Sequence, residues 1–447
     1  MEIQAPRAVR NVMDRLEAAG YEAWLVGGCV RDGLLGRAPQ DWDVTTNARP
    51  EDIHRAMGGL ETLDIGAKHG TVTVLSEGTP VEVTTYRADG LYTDHRRPET
   101  VAFSDSLEED LARRDFTVNA MAWHPARGLM DPFGGQGDLE ARLLRCVGEP
   151  ARRFQEDALR ILRGLRFAAV LGFALERETD RALREQRELL RVLSPERVRE
   201  ELTKLLCGAN AAQVLREHPE VVFTALPELA PMEHCAQETR YHCWNVWEHC
   251  LHAMEAVEPS PLLRWAALLH DCGKPAVKVF DEEGVAHFRG HDKESARIAD
   301  ELLRRLRFSN GEREEIVTLV GRHGPPLDPP EKRVRRLLSR LGEETFFRLM
   351  AVKKADALAH APDWRQERVG FAEKAEAMAR EILARQEPLR VKDLAIGGED
   401  LLTLGAPRGP VIGQVLNALL DRVLEGTLEN ERQALLERAQ MELGIRN

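Results

Sequence analysis

Two carboxylates separated by one residue, in Asp41-Trp42-Asp43, have the types and spacing that metal-dependent phosphate chemistry needs. Side chains two residues apart on a β-strand point to the same face, so a strand here would bring both carboxylates together. Paired oxygen ligands suit Mg²⁺ ions that bridge substrate phosphates. Taken alone, the pair is also typical of a solvated loop or a helix cap. The pattern predicts a site for two Mg²⁺ ions on a strand that continues through Val44.

A glycine pair precedes the carboxylates, in residues 25–32, where two apolar residues are followed by Gly27 and Gly28. This segment predicts a strand, a tight turn and the start of a helix that contains Arg31. Glycine lets backbone amides approach a phosphate closely because it has no side chain. A glycine pair alone usually marks only a turn. In this order and spacing, the turn and the carboxylates together predict a nucleotidyl-transfer site.

Charged residues recur at helical spacing near residue 160. Asp157, Arg160 and Arg163 follow one another at three-residue steps, which places them on one helix face, with Arg166 further round. Arginine presents a planar set of donors, and a carboxylate only accepts hydrogen bonds. Such a row can satisfy the edge of a nucleotide base without a nucleic-acid template. The alternative is an ordinary amphipathic helix with a charged face.

A second set of histidines and aspartates lies between residues 240 and 360. Neutral imidazoles combined with carboxylates favour binding of a transition metal or Mg²⁺ and activation of a water molecule. The members of the set, in chain order, are His249, His270, Asp271, His291, His323 and Asp356. The order and residue types predict a metal centre in a helical region.

Three His-Cys pairs in the same region allow a competing zinc interpretation. The pairs begin at His234, His242 and His249, at spacings of eight and seven residues. Structural zinc sites prefer gaps of about two to four residues between paired ligands. We therefore expect the cysteines of these pairs to be buried, reduced thiols.

The composition predicts a multi-domain protein of the cytoplasm. A chain of 447 residues is too long for a single core. No apolar run approaches the roughly 20 residues needed to span a bilayer, and the N-terminus lacks the features of a signal peptide. Seven cysteines at scattered positions do not form a disulfide framework. We expect no membrane partner.

The net charge of −12 counts against extensive nucleic-acid contact if it is taken as an average. Binding depends on local patches, however, and arginines are concentrated in residues 152–199, 304–313 and 332–336. These segments could build a basic face on an acidic protein. The alternative is a set of helices with solvated charged faces.

The chain changes character near residue 150. Before it, apolar strands alternate with helical stretches, and residues 71–75 and 81–86 predict a strand pair. After it, apolar residues recur almost everywhere at three- and four-residue spacing, which predicts helices. Glu82 shares a strand face with Thr84, so it is either a third carboxylate near the metals or a surface residue.

Three further motifs follow the carboxylates in a fixed order. They cover residues 108–120, which contain Arg113-Arg114-Asp115, then residues 156–167, and finally residues 194–202. With the opening motif they resemble the DNA polymerase β-like nucleotidyltransferases. Within that superfamily they are similar to the class II tRNA nucleotidyltransferases, which include CCA-adding enzymes and their poly(A) polymerase relatives.

The resemblance implies an α/β polymerase β-like head followed by all-α neck, HD and tail domains. We expect the head at residues 1–148, the nucleotide-selecting neck at 149–225, the HD domain at 226–360 and a tRNA-binding tail at 361–447. The helical tail, over residues 394–439, resembles the segment that reaches the tRNA elbow in bacterial relatives. The alternative for the tail is that it only packs against the HD domain.

The resemblance also assigns residue roles. Asp41 and Asp43 would be catalytic and would hold two Mg²⁺ ions. Asp157 and Arg160 would select CTP and then ATP, with Glu156 positioning the arginine. The full set of expected nucleotide-binding residues is Gly27, Gly28, Arg31, Arg113, Arg114, Asp115, Asn119, Glu156, Asp157, Arg160, Arg163 and Arg166. Arg163 and Arg166 would contact phosphates, and the resemblance leaves open which of Arg113 and Arg114 contacts the triphosphate.

The implied reaction is in-line attack by the 3′-hydroxyl of tRNA on the α-phosphate of CTP or ATP, with release of pyrophosphate. Residues 87–98 resemble the loop that complete CCA-adding and A-adding members retain and that CC-adding members lack in part. We therefore expect CCA addition, with addition of A alone as the alternative and poly(A) synthesis a more distant one. The expected partners are tRNA, CTP and ATP, and the oligomeric state stays open.

The second histidine and aspartate set resembles the order of the HD superfamily. The resemblance implies that His249, His270, Asp271 and Asp356 bind a divalent metal whose identity stays open, with His291 and His323 as possible second-metal or phosphate ligands. Relatives that keep this set are metal-dependent phosphohydrolases acting on phosphomonoesters or cyclic phosphates. One alternative is a degenerate HD scaffold; another makes hydrolysis the main activity of the chain.

Overall fold

The computed structural model describes residues 3–66, 70–88, 102–324 and 330–444. The chain divides into two compact units, Met1–Pro227 and Glu228–Asn447. The finer domain boundaries after residues 148, 225 and 360 stay predictions. Most of the predicted loop over residues 87–98 lies outside the described residues.

The first part of unit one is a mixed β-sheet with helices. Its strands are β1 (Trp24–Val26), β2 (Asp43–Thr46), β3 (Glu61–Gly66), β4 (Thr71–Ser76), β5 (Thr79–Thr85), β6 (Arg87–Ala88), β7 (Ala102–Phe103), β8 (Ala122–His124) and β9 (Gly128–Met130). Its helices are α1 (Arg7–Ala18), α2 (Gly28–Leu34), α3 (Pro50–Ala56), α4 (Leu107–Ala112) and α5 (Gly135–Glu140), with a 3₁₀ turn at Thr117–Asn119.

Seven of these strands form one sheet in the order β3-β4-β5-β2-β1-β8-β9. Strands β2 and β5 are parallel, and the other neighbours are antiparallel. The predicted strand pair is confirmed as β4 and β5. On β5, Val81 and Val83 are buried and Glu82 points to the opposite face. This alternation turns the apolar side chains into the core and leaves polar ones on the face that carries the candidate catalytic residues.

The rest of unit one is helical, as predicted. Its helices are α6 (Pro150–Glu156), α7 (Leu159–Leu171), α8 (Arg177–Glu185), α9 (Pro195–Leu206), α10 (Ala211–Glu217) and α11 (Pro219–Ala225), with a 3₁₀ segment at Arg187–Val192. A short parallel pair, β10 (Leu143–Leu144) and β11 (Ala174–Leu175), is the exception. Ile161, Leu162 and Leu165 on α7 are fully buried, so this helix forms the centre of the helical part.

Unit two is helical except for one short hairpin. Its helices are α12 (Val246–Ala256), α13 (Pro261–Leu269), α14 (Lys274–Val277), α15 (His291–Arg305), α16 (Asn310–Arg322), α17 (Glu331–Leu341), α18 (Glu343–Ala359), α19 (Pro362–Ala384), α20 (Gly398–Thr403), α21 (Pro410–Leu424) and α22 (Arg432–Leu443). The hairpin is β12 (Val279–Phe280) with β13 (Ala286–His287), and 3₁₀ turns lie at Pro227–Met232 and Val391–Asp393.

The last helices of unit two have an apolar core of their own. Leu401 on α20, Leu419 on α21 and Leu435 on α22 are fully buried in one cluster. Among the helices of the described ranges, none is both long enough and apolar enough to cross a bilayer.

Candidate active site and candidate metal centre

The predicted carboxylate pair lies at the start of β2. Asp43 is the first residue of the strand and is in register with Glu82 on the parallel strand β5. Asp41 precedes the strand and is exposed, so the prediction that both carboxylates lie on the strand is wrong for Asp41. The reason is the pairing, because the ladder with β5 begins only at Asp43 and that with β1 at Val44.

The negative charges around Asp43 are close enough to affect its ionisation. Burial first, and then the Glu82 carboxylate, raise the pKa of Asp43 to about 6, against an opposing effect of Arg114 and a further push from Asp41. Three carboxylates thus crowd one end of the strand pair. Such crowding disfavours the charged forms unless a cation is bound, so the donor set fits a divalent metal.

Gly27 makes room for an arginine beside these carboxylates. Its φ of 76° is a backbone conformation that residues with a side chain rarely adopt. A Cβ atom built on Gly27 would lie 3.1 Å from Nη1 of Arg114 and 3.9 Å from Oδ2 of Asp43. Gly28 begins α2, as the sequence predicts. Arg114 is therefore the arginine of the motif whose guanidinium reaches the carboxylate end of the sheet.

A hydrogen-bond chain joins the other expected nucleotide-binding residues of the head. Arg31 donates through Nη1 to Oδ1 of Asn119 at 2.7 Å, and Asn119 donates through Nδ2 to Oδ1 of Asp115 at 3.1 Å. Arg163 of α7 donates through Nε to Oδ2 of Asp115 at 2.7 Å. Burial acts to raise the pKa of Asp115, but Arg163 and Asn119 outweigh it and hold that pKa well below its ordinary value. Three parts of the chain, α2, residues 115–119 and α7, are thus joined through one ionised carboxylate.

The row of charged residues near residue 160 does not lie on one continuous helix. Helix α6 ends at Glu156, Asp157 has an extended backbone, and α7 begins at Leu159. The sequence prediction of a single helix face is therefore wrong at Asp157. The break has a local cause, because the Asp157 carboxylate accepts the N–H of Leu159 at 3.1 Å and caps the new helix itself.

Arg160 is held by three acceptors. Its Nη1 donates to the Arg153 carbonyl at 3.1 Å and to Oε2 of Glu156 at 2.9 Å, and its Nη2 donates to the Arg113 carbonyl at 2.8 Å. A guanidinium carries five N–H groups. These contacts leave the Nε proton and one Nη2 proton for a ligand. The Glu156 contact agrees with the predicted positioning role, and Arg166 pairs with Glu201 at 3.0 Å.

In unit two, four side chains from the second set converge on one point. Nε2 of His249 lies 3.2 Å from Nε2 of His270, 3.0 Å from Oδ1 of Asp356 and 3.3 Å from Oδ2 of Asp271. Burial acts to raise the pKa of Asp271, but Lys274 and His270 hold it well below its ordinary value. The four residues come from α12, the end of α13 and α18, and their ligand atoms face one another.

The other oxygen of Asp271 faces a second group. Its Oδ1 lies 3.4 Å from Nε2 of His291 and 3.4 Å from Nε2 of His323. His291 is the first residue of α15 and His323 follows the last residue of α16. Asp271 therefore stands between two groups that could each hold a cation.

The histidine tautomers suit metal binding. In His249, His270, His291 and His323, the Nδ1 atom lies 2.5–3.2 Å from a backbone carbonyl oxygen. A carbonyl only accepts, so Nδ1 carries a proton in each ring, and Nε2 is the nitrogen left to bind a metal. Because all four Nε2 atoms point to the two Asp271 groups, the residues fit a divalent metal centre.

A cavity of about 1070 Å³ opens beside this centre. It is lined by metal-centre residues, by the aromatic rings of Tyr241, Phe288 and Phe371, and by cationic groups that include Lys274 and Arg289. His242 and His360, which form a third group with His249, also line it. The cavity can thus admit a ligand with both an apolar part and an anionic part.

Family models match three parts of the chain. The model of the poly A polymerase head domain matches residues 23–145, that of a probable RNA and SrmB-binding site of polymerase A matches residues 172–218, and that of the HD domain matches residues 239–361. The CCA-adding enzyme of Geobacillus thermodenitrificans (strain NG80-2) is 35% identical in an alignment 437 residues long that covers 95% of this chain and 94% of that protein.

The chain belongs to the CCA-adding enzyme family. The CCA-adding enzyme of Streptococcus mutans is 34% identical over 97% of this chain and 96% of its own. Among solved structures, the Bacillus stearothermophilus CCA-adding enzyme in complex with CTP has a TM-score of 0.72 at 31% identity and covers 98% of both chains. The Thermotoga maritima CCA-adding enzyme complexed with tRNA, at 22% identity and a TM-score of 0.57, shares the fold over 99% of this chain and 97% of its own.

This comparison confirms the predicted fold, a polymerase β-like head with helical parts and an HD domain. It also confirms that this family member is a nucleotidyltransferase. Groups of side chains that fit a divalent metal support the coarser prediction of a metal-binding protein. Among the described residues, groups of three or more His, Cys, Asp or Glu ligand atoms within 4.8 Å all fall in unit two. The Mg²⁺ identity and count in the head therefore stay predictions.

Sequence reasoning missed three residues that organise these sites. Asp110 lies fully buried under Arg113 and Arg114, Lys274 contacts Asp271 at 2.6 Å, and Arg197 contacts Asp157 at 2.9 Å. Asp110 and Lys274 stand three or four residues from their partners, a helical pair spacing that could have indicated them. Arg197 stands 40 residues from Asp157, and no local spacing indicates that contact.

The cysteine prediction is confirmed for two of its three residues. Cys235 and Cys250 are buried, whereas Cys243 is exposed. All seven cysteines are free thiols.

Proposed function

We propose that this family member adds and repairs the 3′-terminal CCA of tRNA, without a template, using CTP and ATP. The observation that carries the proposal is the meeting of the Asp41, Asp43 and Glu82 carboxylates with Arg114 at one end of the sheet. Relatives at 33–35% identity over nearly the whole chain are CCA-adding enzymes. A solved relative at 31% identity is described in complex with CTP.

In this proposal Asp41 and Asp43 hold two Mg²⁺ ions, and Glu82 is a third carboxylate beside them. When bound, the metal supplies charge neutralisation and activation of the attacking 3′-hydroxyl. The 3′-hydroxyl of tRNA, placed beside the carboxylates, would form the bond to the α-phosphate in line and lose its proton to solvent, while the bond to pyrophosphate breaks and pyrophosphate leaves toward the arginines. Arg114 is the triphosphate contact rather than Arg113, because its guanidinium lies against Gly27 and Asp43. Asn119 and Asp115 serve the ribose.

Nucleotide selection follows from the hydrogen-bond inventory of Arg160 and Asp157. Cytosine and adenine both offer an exocyclic amino group next to a ring nitrogen acceptor, whereas uracil and guanine offer a carbonyl and a ring N–H. The remaining Arg160 protons can donate to the ring acceptor, and the Asp157 carboxylate can accept from the amino group. Arg163 and Arg166 are the proposed phosphate contacts, held by Asp115 and Glu201.

The proposed partner is tRNA, bound in part by the tail of unit two. The proposed domains keep the boundaries at residues 148, 225 and 360. We propose a cytoplasmic location, because tRNA, CTP and ATP are found there. Addition of A alone is the alternative within the same chemistry.

The test uses three tRNAs, ending before CCA, after the first C and after CC. Purified protein with Mg²⁺ receives labelled CTP and ATP, separately and together, and products are sized at single-nucleotide resolution. We expect growth of all three to CCA and no further. Asp41→Asn and Asp43→Asn should abolish extension, and Asp64→Asn, an exposed aspartate paired with His54, is the matched control. Extension of only the CC-ending tRNA would support the A-adding alternative, and no extension would contradict the proposal.

A specific observation favours a second candidate, a metal-dependent phosphohydrolase in the HD domain. His249, His270, Asp271 and Asp356 converge on one point and Asp271 also faces His291 and His323. A degenerate scaffold would not need four histidines of one tautomer. Release of phosphate from phosphomonoesters and cyclic phosphates by the wild type, and its loss in His249→Ala with tRNA extension intact, would support this activity. Equal hydrolysis by both proteins would exclude it.

A further inference from the structure

The carboxylate of Asp157 is held in place by a distant arginine. Asp157 lies in the break between α6 and α7 with an extended backbone, φ −143° and ψ 103°. Nη2 of Arg197 lies 3.1 Å from Oδ1 and 2.9 Å from Oδ2 of this carboxylate. Because Asp157 lies outside both helices, the contact to Arg197 is what restrains the far oxygen of its carboxylate.

This pair lies at an accessible surface rather than in the core. The side chains of Arg197 and Asp157 are 25% and 21% exposed. A pair with this exposure contributes only about 0–1 kcal/mol to stability, so the fold does not depend on it. Arg197 belongs to α9, and α9 packs against α7, which carries Arg160. The contact therefore fixes the orientation of Asp157 relative to α9. This helix packs beside Arg160, the second residue proposed to contact the base.

We propose that Arg197 is a positioning residue for nucleotide selection, and that it orients Asp157 to accept the exocyclic amino group of cytosine or adenine. The inference rests on the proposed function. One side of the carboxylate meets the guanidinium and the Leu159 N–H, which leaves the lone pairs on its other side to accept from a nucleotide. A carbonyl of uracil or guanine meets a fixed negative oxygen there and is repelled.

Removing Arg197 lets the carboxylate rotate away from a wrong base. The repulsion of uracil and guanine then decreases by more than the binding of cytosine and adenine weakens. One well-oriented side-chain pair contributes discrimination of about tenfold or more between bases. Discrimination, rather than activity alone, is the quantity that Arg197 controls.

The experiment measures single-nucleotide addition by the full-length protein. A tRNA that lacks CCA receives CTP or UTP, and a tRNA that ends in CC receives ATP or GTP, and kcat/KM is determined for each. Arg197→Met should lower the CTP/UTP and ATP/GTP ratios by about tenfold or more, and Arg197→Lys, which keeps a charged donor, should give intermediate ratios. Arg191→Met, at an exposed arginine paired with Glu188, is the matched control and should leave both ratios unchanged.

A double variant separates positioning from folding. In an Asp157→Asn background, adding Arg197→Met should change the ratios no further, because the carboxylate that Arg197 orients is gone. Equal losses for all four nucleotides in Arg197→Met, with unchanged ratios, would overturn the inference. If Arg197→Met lowers the midpoint of thermal unfolding, the test depends on Arg197→Lys instead. Wild-type ratios in Arg197→Lys would then overturn the inference. Failure of the wild type to extend any tRNA would instead contradict the proposed function, and the inference with it.

Discussion

A single buried carboxylate organises the two arginines beside the candidate catalytic aspartates. Asp110 has no exposed side-chain surface and accepts from Arg113 at 2.7 Å and from Arg114 at 3.1 Å. It also accepts from the backbone N–H of Arg87 and from the Thr45 hydroxyl. Burial acts to raise the pKa of Asp110, but Arg114 and Arg113 outweigh it and lower that pKa below its ordinary value. Asp110 is therefore an ionised anchor for the arginine pair.

Asp110→Asn should destabilise the protein in a pH-dependent way. Removing one partner of a buried ion pair costs about 3–5 kcal/mol, because the other charge is left uncompensated. A lowered native pKa gives stability that is present above the ordinary pKa of about 4 and is lost as the pH falls below it. Urea titrations should therefore show a constant deficit from pH 8 to pH 5 that shrinks below about pH 4. Asp105→Asn, at an exposed aspartate, is the control, and a deficit independent of pH would contradict the assignment.

Gly27→Ala should reduce activity by displacing Arg114. A Cβ there lies 3.1 Å from the Arg114 guanidinium, and a positive φ strains any side chain by about 1–3 kcal/mol. Gly59→Ala provides the match, because Gly59 has φ 86° and open space around its Cβ position. Both variants should lose stability in denaturant titrations, and only Gly27→Ala should lose nucleotide addition, by more than about tenfold. Equal activity in both variants would remove Arg114 from the triphosphate site.

Helix ends and helix packing together bring the candidate metal ligands of unit two close to one another. His270 and His323 each follow the last residue of a helix, and His291 begins one. His249 and Asp356 lie within α12 and α18, two helices that pack together. The apolar faces of these helices bury the ligands, so the metal site depends on helix packing rather than on a loop.

A divalent metal should stabilise unit two through His249. Binding to the native state alone adds about 2.7 kcal/mol at a hundredfold excess over Kd. Titration with Mn²⁺ should therefore raise the midpoint of thermal unfolding of the wild type, and chelation should reverse the rise. His249→Ala should show no rise, whereas His234→Ala, at an exposed histidine, should behave as the wild type. A rise in His249→Ala equal to that of the wild type would place the metal elsewhere.

The division at Pro227 predicts that each unit keeps its fold when it is separated from the other. Each has its own buried core, which in unit two includes Trp265, Leu268 and Phe346. A domain with its own core can fold alone.

Residues 228–447 expressed alone should unfold cooperatively and keep the metal-induced stabilisation of the full chain. They should not extend tRNA, because the carboxylates of the head are absent. A fragment of residues 258–447 lacks α12 and thus His249, so it should lose the metal response. Circular dichroism during heating, with and without Mn²⁺, makes the comparison. A metal response in the shorter fragment would contradict the role of α12.

The chain alone indicates much of the candidate site. Strands β4 and β5, the glycine turn and the carboxylates follow from local patterns of burial and conformational preference, which neighbouring residues decide. The order of the motifs was sufficient to predict the family. The convergence of His249, His270, Asp271 and Asp356 was also predictable, because their order along the chain resembles that of the HD superfamily.

Other features depend on contacts between residues far apart in the chain, and only the tertiary structure decided them. The place of Asp41 outside β2 depends on where strand pairing begins, and the break at Asp157 depends on a carboxylate that caps α7 and contacts α9. The burial of Asp110 under two arginines and the common tautomer of the metal-centre histidines depend on which carbonyls and donors the fold brings near. Local sequence sets the preference of each segment, and long-range packing selects the hydrogen-bond partners that give each charged side chain its role.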